Sequence, residues 1–143
     1  MRISRTVEVD TPLEKVFAYL SDFTTTTEWD PGSVRTVRVS GDGGVGTTYH
    51  NTSTFNGRET ELVYEVIELV PQEKFALRGE NKTVVANDTM EFASTTTGGS
   101  RVTYTADFDF KGLVKLLAPL LGGAFKKLGD EAERGLREHL SAL

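Results

Sequence analysis

From Leu113 onward the sequence keeps a helical period, whereas between residues 34 and 110 it keeps none. That contrast constrains the fold more than any other feature. The middle of the chain alternates apolar and polar residues in runs near 34–39, 46–55, 58–69, 74–79, 83–95 and 101–110, the period of half-buried strands. Turn residues punctuate the runs: Gly41-Asp42-Gly43-Gly44, Asn56-Gly57, Pro71, Asn81-Lys82 and Gly98-Gly99. Short turns between consecutive strands make an antiparallel meander. One face of such a sheet must be covered, and the C-terminal helix is the only element long enough to cover it.

Residues 3–9 read as a further strand. Thr11-Pro12-Leu13-Glu14 has the form of a helix start, with Thr11 as N-cap, Pro12 at the first helical position and Glu14 closing a capping box. Leu13, Val16, Phe17 and Leu20 stripe a short helix; a second turn of helix near Phe23–Glu28 delivers Trp29 before Asp30-Pro31-Gly32 stops it. In the last segment Leu113, Leu117, Leu121, Ala124, Leu128 and Ala132 share one stripe at about 100° per residue. Pro119 and Gly122-Gly123 interrupt this segment and predict a kink or break. The expected architecture is α+β: a curved seven-stranded antiparallel sheet, two short helices after strand 1 and a long C-terminal helix across the concave face, in a single domain spanning 1–143.

Turn chemistry sets which side chains face the helix. A two-residue Asn56-Gly57 turn pairs Phe55 with Arg58, and so Tyr49 with Tyr64, Asn51 with Leu62 and Ser53 with Thr60. The opposite face then carries His50, Glu59, Glu61 and Glu65, which marks it as the solvated one. In the last hairpin a short loop at Gly98-Gly99 sets Phe92 opposite Tyr104 and Met90 opposite Ala106. That turns Asp88, Met90, Phe92, Tyr104 and Phe108 inward, with Phe75 and Leu77 on the same face.

Residues 11–22, Thr-Pro-Leu-Glu-Lys-Val-Phe-Ala-Tyr-Leu-Ser-Asp, followed by Glu28-Trp29-Asp30-Pro31, resemble the opening of the START-like (SRPBCC) superfamily. That group includes polyketide cyclase/dehydrase-like proteins and relatives of the birch-pollen allergen. Thr11 and Phe17 stand where its pattern has Ala and Trp. Gly98-Gly99-Ser100-Arg101-Val102-Thr103 resembles its entry to the last strand. The resemblance implies a helix-grip fold over the whole chain, and a superfamily of carriers, cyclases, receptors and chaperone cofactors.

Composition narrows the chemistry. There is no cysteine, so disulfides, thiol nucleophiles and cysteine zinc sites are excluded. The net charge is −5, with 17 acids against 10 bases before residue 111 and 6 bases against 4 acids from residue 111 on; no basic run suits nucleic acid. The greasy stretch Leu113–Phe125 is too short to span a bilayer, so no stable membrane insertion is expected. The N-terminal residues lack the apolar core of a signal peptide, and the expected location is cytoplasmic. Two histidines, His50 and His139, lie too far apart in sequence for ligand spacing, so no metal and no cofactor are expected. The loop 41–46 has no phosphate-binding pattern and reads as a hairpin loop at a pocket mouth.

The expected function is binding or carriage of a small hydrophobic molecule (a lipid, polyketide or isoprenoid) between sheet and helix. The expected lining is Trp29, Tyr49, Asn51, Leu62, Tyr64, Phe75, Leu77, Asp88, Met90, Phe92, Tyr104, Phe108, Leu117, Leu121 and Leu128: apolar walls with a few polar groups to orient a ligand. The polar pairs around Asn51 and Ser53 suggest a wet or ligand-filled interior, because unpaired buried amides are costly. Two alternatives stand beside it. One is a polyketide cyclase or dehydrase using Asp88 as general base, its carboxyl raised by burial. The other is a protein-interaction module with a filled core.

Overall fold

The computed structural model describes residues 1–143, and its sheet is built as a meander closed by its first strand. β1 (Arg2–Val9) is followed by α1 (Leu13–Leu20), a 3₁₀ turn (Phe23–Thr25) and α2 (Thr26–Trp29). Six strands come next: β2 (Ser33–Ser40), β3 (Thr48–Phe55), β4 (Arg58–Val70), β5 (Lys74–Glu80), β6 (Val84–Ser94) and β7 (Ser100–Phe110). The chain ends in α3 (Val114–Leu117), a 3₁₀ turn (Ala118–Leu121) and α4 (Gly122–Ser141). The seven strands lie in the order β1-β7-β6-β5-β4-β3-β2, all neighbours antiparallel.

The register of β3 and β4 follows from their turn. Asn56 and Gly57 both take positive φ, 51° and 77°, the conformation a tight two-residue hairpin needs. Phe55 pairs with Arg58, Tyr49 with Tyr64, Asn51 with Leu62 and Ser53 with Thr60. His50 falls on the outer face, with its Nε2 3.5 Å from Glu61.

The β6–β7 register differs from the expected one by two residues. Met90 pairs with Tyr104, Asp88 with Ala106 and Phe92 with Val102. The cause is the length of the loop. The Thr95 N–H donates to the Gly99 carbonyl, and Thr95 Oγ1 accepts from the Gly99 N–H, so the turn closes across residues 95–99. A slip of two preserves parity, so every side chain keeps its face.

The helix ends also depart from expectation. The Thr11 hydroxyl makes no capping bond to α1, whose N-cap is Pro12. It donates instead to the carbonyl of Leu140 at 2.6 Å, while the Thr11 carbonyl accepts from Ser100 Oγ at 2.7 Å. This buried link ties β7 and the end of α4 to the start of α1.

The inner face of the sheet and the buried stripe of α4 form one core. Val7, Val16, Leu20, Val66, Phe75, Leu77, Met90, Val102, Leu136 and Leu140 are all essentially inaccessible. The buried stripe of α4 is Phe125, Gly129, Ala132, Leu136 and Leu140; it shares Ala132 with the expected stripe Leu113, Leu117, Leu121, Ala124, Leu128, Ala132, of which Leu117, Leu121 and Leu128 border the space under the helix. Within α4 the buried face is displaced by one residue, from Ala124 and Leu128 to Phe125 and Gly129. Gly135 allows a close backbone approach. A Cβ there would overlap the carbonyl oxygen of Trp29, so α4 crosses α2 at a distance that only glycine permits.

Candidate functional site

β1 runs beneath α4 with Arg5 turned toward the helix, where its guanidinium meets Asp130 at 3.0 Å and Glu133 at 3.7 Å. Away from this contact the helix and sheet diverge. Between them lies a cavity of about 430 Å³, within the roughly 300–1,000 Å³ usual for small-molecule pockets.

Of the fifteen expected lining residues, ten border this cavity: Trp29, Asn51, Leu62, Tyr64, Asp88, Tyr104, Phe108, Leu117, Leu121 and Leu128. The other five, Tyr49, Phe75, Leu77, Met90 and Phe92, share the inner face but do not border it. They are packed solid; Phe92 meets Phe17 of α1 edge-on at 5.0 Å, and Tyr49 meets Phe23 at 5.6 Å. Strand parity gives a face, and the short helices at one end fill half of that face. The loop 41–46 does not border the cavity either. Thr47 is buried there and its Oγ1 accepts from the Gly43 N–H, while the Gly46 N–H donates to the Val66 carbonyl.

Several lining residues were absent from the expected set, among them Phe55, Val84, Phe110, Val114, Phe125 and Asp30. Phe125 packs against Phe55, Phe108 and Phe110 with ring centroids 4.8, 5.0 and 5.8 Å away. Phe55 and Phe110 lie on the inward parity of their strands and were readable from it. Phe125 lies one residue beyond Ala124, at the edge of the expected stripe of the same helix.

The polar residues around the cavity divide into two groups. The first is self-satisfied. The Asn51 amide donates to Thr36 Oγ1 at 2.8 Å and to Ser33 Oγ at 3.1 Å, and its oxygen accepts from Ser53 Oγ at 2.6 Å. Thr36 in turn meets Thr26 Oγ1 at 2.7 Å. This network needs no water or ligand, so Asn51 and Ser53 do not argue for a wet interior.

The second group is not satisfied. Asp88 sits in regular strand between Leu77 and Ala106, 6 % exposed. The Tyr104 hydroxyl donates to its Oδ2 at 3.3 Å, while its Oδ1 has no partner. Trp29, 2 % exposed, stacks edge-on to Tyr104 at 5.5 Å, and its indole N–H is the other unpaired buried polar atom. Burial lifts the Asp88 carboxyl to about 7, partly offset by the Tyr104 hydrogen bond. Burial, with Asp88 and Asp30 adding to it, also raises the Tyr64 and Tyr104 phenols well above their ordinary range, which keeps both as neutral donors. Asp30 is pushed upward by burial and pulled back by the Gly32 N–H and the Ser33 hydroxyl. Chemically, this wall offers a carboxyl that can hold or release a proton near neutrality, two phenols and an indole donor.

The cavity is also bordered by residues that reach solvent: Asn56, Arg58 and Thr83 in the hairpin turns and Leu117 in α3, beside Val114 and Leu121. No helix of the molecule is long and apolar enough to cross a membrane.

Among solved structures, the Zhui aromatase/cyclase from Streptomyces sp. R1128 superposes with a TM-score of 0.83 at 14% identity, over 98% of this chain and 93% of that one. TTHA0849 from Thermus thermophilus does so with a TM-score of 0.82 at 16% identity, over 99% and 98%. A START superfamily protein from Mycobacterium smegmatis matches with a TM-score of 0.68 at 14% identity, over 93% and 97%. Identities this low establish a common fold. No curated protein sequence matches the chain. The family described as polyketide cyclase / dehydrase and lipid transport matches residues 1–141, and with the helix-grip architecture above it the chain belongs to that family.

Proposed function

We propose that this protein binds a small, largely apolar molecule that carries a polar group at one end. One observation carries the reading: a cavity of about 430 Å³ with aromatic and aliphatic walls is bordered by Asp88 and Trp29, whose Oδ1 and Nε1 are the two buried side-chain polar atoms left without a partner. An unpaired buried donor or acceptor costs about 1–3 kcal/mol, and a ligand hydroxyl or carbonyl in reach of either would recover it. The apolar walls supply affinity and these atoms fix orientation. A core filled by its own side chains, the interaction-module alternative, has no use for such a space.

Extraction of the natively purified protein with organic solvent, followed by mass spectrometry, tests this. The expected result is an apolar molecule of matching size, absent from a denatured control. A protein that yields none, and binds no apolar dye or fatty acid in titration, would overturn it.

A second reading is favoured by one feature, the titration of Asp88 near neutrality. A carboxylate of that basicity, hydrogen-bonded to Tyr104, is suited to remove a proton next to a carbonyl in a polyketide-like precursor. On this reading Asp88→Asn abolishes turnover while binding persists; unchanged turnover removes Asp88 as the base.

A further inference from the structure

The segment that forms one lip of the cavity presents an apolar ridge to solvent. Leu113, Leu116, Leu117 and Leu120 are 82, 75, 56 and 80 % exposed. Their spacing of three, four and seven places them on one side of the turns formed by α3 and the 3₁₀ segment. The neighbouring Val114, Leu117 and Leu121 border the cavity, so the ridge and the apolar interior meet at the mouth. Scattered exposed leucines need no explanation, but a contiguous row of four does.

The charge around the ridge is opposite to that of the molecule. Residues 110–129 hold four lysines, six leucines and no acid, in a chain of net charge −5. Lys115 is exposed and has no ion-pair partner; it lies on the flank of the same segment, away from the leucine ridge. Lys126 and Lys127 follow one and a half turns into α4, each within reach of an acid on the next turn, and Lys111 is held by Glu80.

We infer that this ridge docks peripherally on an anionic lipid bilayer, with the leucines entering the headgroup boundary and the lysines meeting acidic headgroups. Exposed leucines flanked by lysines are the composition of an interfacial helix, and each lysine near such a surface adds attraction. The ridge projects from the surface, so it suits a fluid interface better than a preformed groove. A second copy of the chain is a poorer occupant: a two-fold contact through the ridge sets lysines of one copy against those of the other. Docking in this pose puts the cavity mouth against the acyl region, so an apolar ligand crosses without meeting bulk water. That last consequence rests on the binding role proposed above; the docking does not.

Flotation with vesicles tests the inference. One set is phosphatidylcholine alone and the other carries about one third phosphatidylglycerol. The full-length protein is expected to float with the anionic vesicles at low salt, less with the neutral ones, and less again as salt is raised. The double variant Leu116→Ser/Leu120→Ser removes two exposed leucines that do not border the cavity. It should keep its melting temperature and weaken the association about tenfold, and Lys115→Glu should weaken it selectively on anionic vesicles. Failure of the unaltered protein to float with anionic vesicles, or equal flotation of the double variant, overturns the inference. So does a dimer in sedimentation that the double variant dissolves. Solvent extraction that finds no ligand, beside positive flotation, sinks the carrier reading and leaves the docking intact.

Discussion

Asp88 shows how one buried group couples chemistry to stability. In the unfolded chain an aspartate titrates near 3.9, whereas in the folded protein Asp88 titrates at about 7 because burial disfavours its charge. Between those values the folded state holds a proton that the unfolded state has released. Stability therefore falls as pH rises from about 4 to about 7, by at most about 1.4 kcal/mol per pH unit, and is flat with respect to this group outside that window. Asp88→Asn should remove the slope: in urea unfolding the variant gains on the wild type at pH 8 and shows little difference at pH 4. Parallel profiles across that range would show that Asp88 is not held protonated by the fold. The inward position of Asp88 was legible from hairpin parity alone. Its missing partner was not, because the absence depends on what α2 and β7 bring next to it.

At the scale of elements, α4 is held by a close crossing rather than by its length. Gly135 lies against the Trp29 carbonyl with no room for a methyl group. Alanine in an exposed helix normally gains about 1 kcal/mol over glycine. Here the backbone contact reverses the sign: Gly135→Ala should destabilise by about 1–3 kcal/mol through overpacking, read as a lower urea midpoint. Because Trp29 also borders the cavity, its fluorescence should shift too. A more stable variant would contradict the crossing geometry. The sequence announced a break near Pro119 and a helix beyond it. It did not announce the displacement of the buried face within that helix by one residue, from Ala124 and Leu128 to Phe125 and Gly129. Phe125 therefore joins Leu117, Leu121 and Leu128 at the cavity.

At the scale of the molecule, the cavity exists because the covering elements are unequal. α1, α2 and the C-terminal half of α4 fill one end of the inner face, where Phe92, Met90, Phe75 and Tyr49 are packed solid. The other end is covered by α3, the 3₁₀ turn and the start of α4, with the cavity beneath them. Thr60, half-buried on β4, borders that space. Thr60→Trp should fill part of it, lowering the affinity for an apolar dye about tenfold or more while leaving the melting temperature within a few degrees. Retained dye affinity would place the binding elsewhere.

The strand faces, the order of elements and the helix that covers them follow from residue pattern, because periods of two and 3.6 and the chemistry of Asn56-Gly57 act over a few residues at a time. Where the inner face is filled and where it is open, which polar atoms are paired, and which leucines remain in water follow from packing between distant elements. Those depend on how far α4 stands from the sheet along its length. That distance is set by a glycine at one crossing, an arginine on β1 and a 3₁₀ turn, and none of the three acts through the local pattern in which it sits.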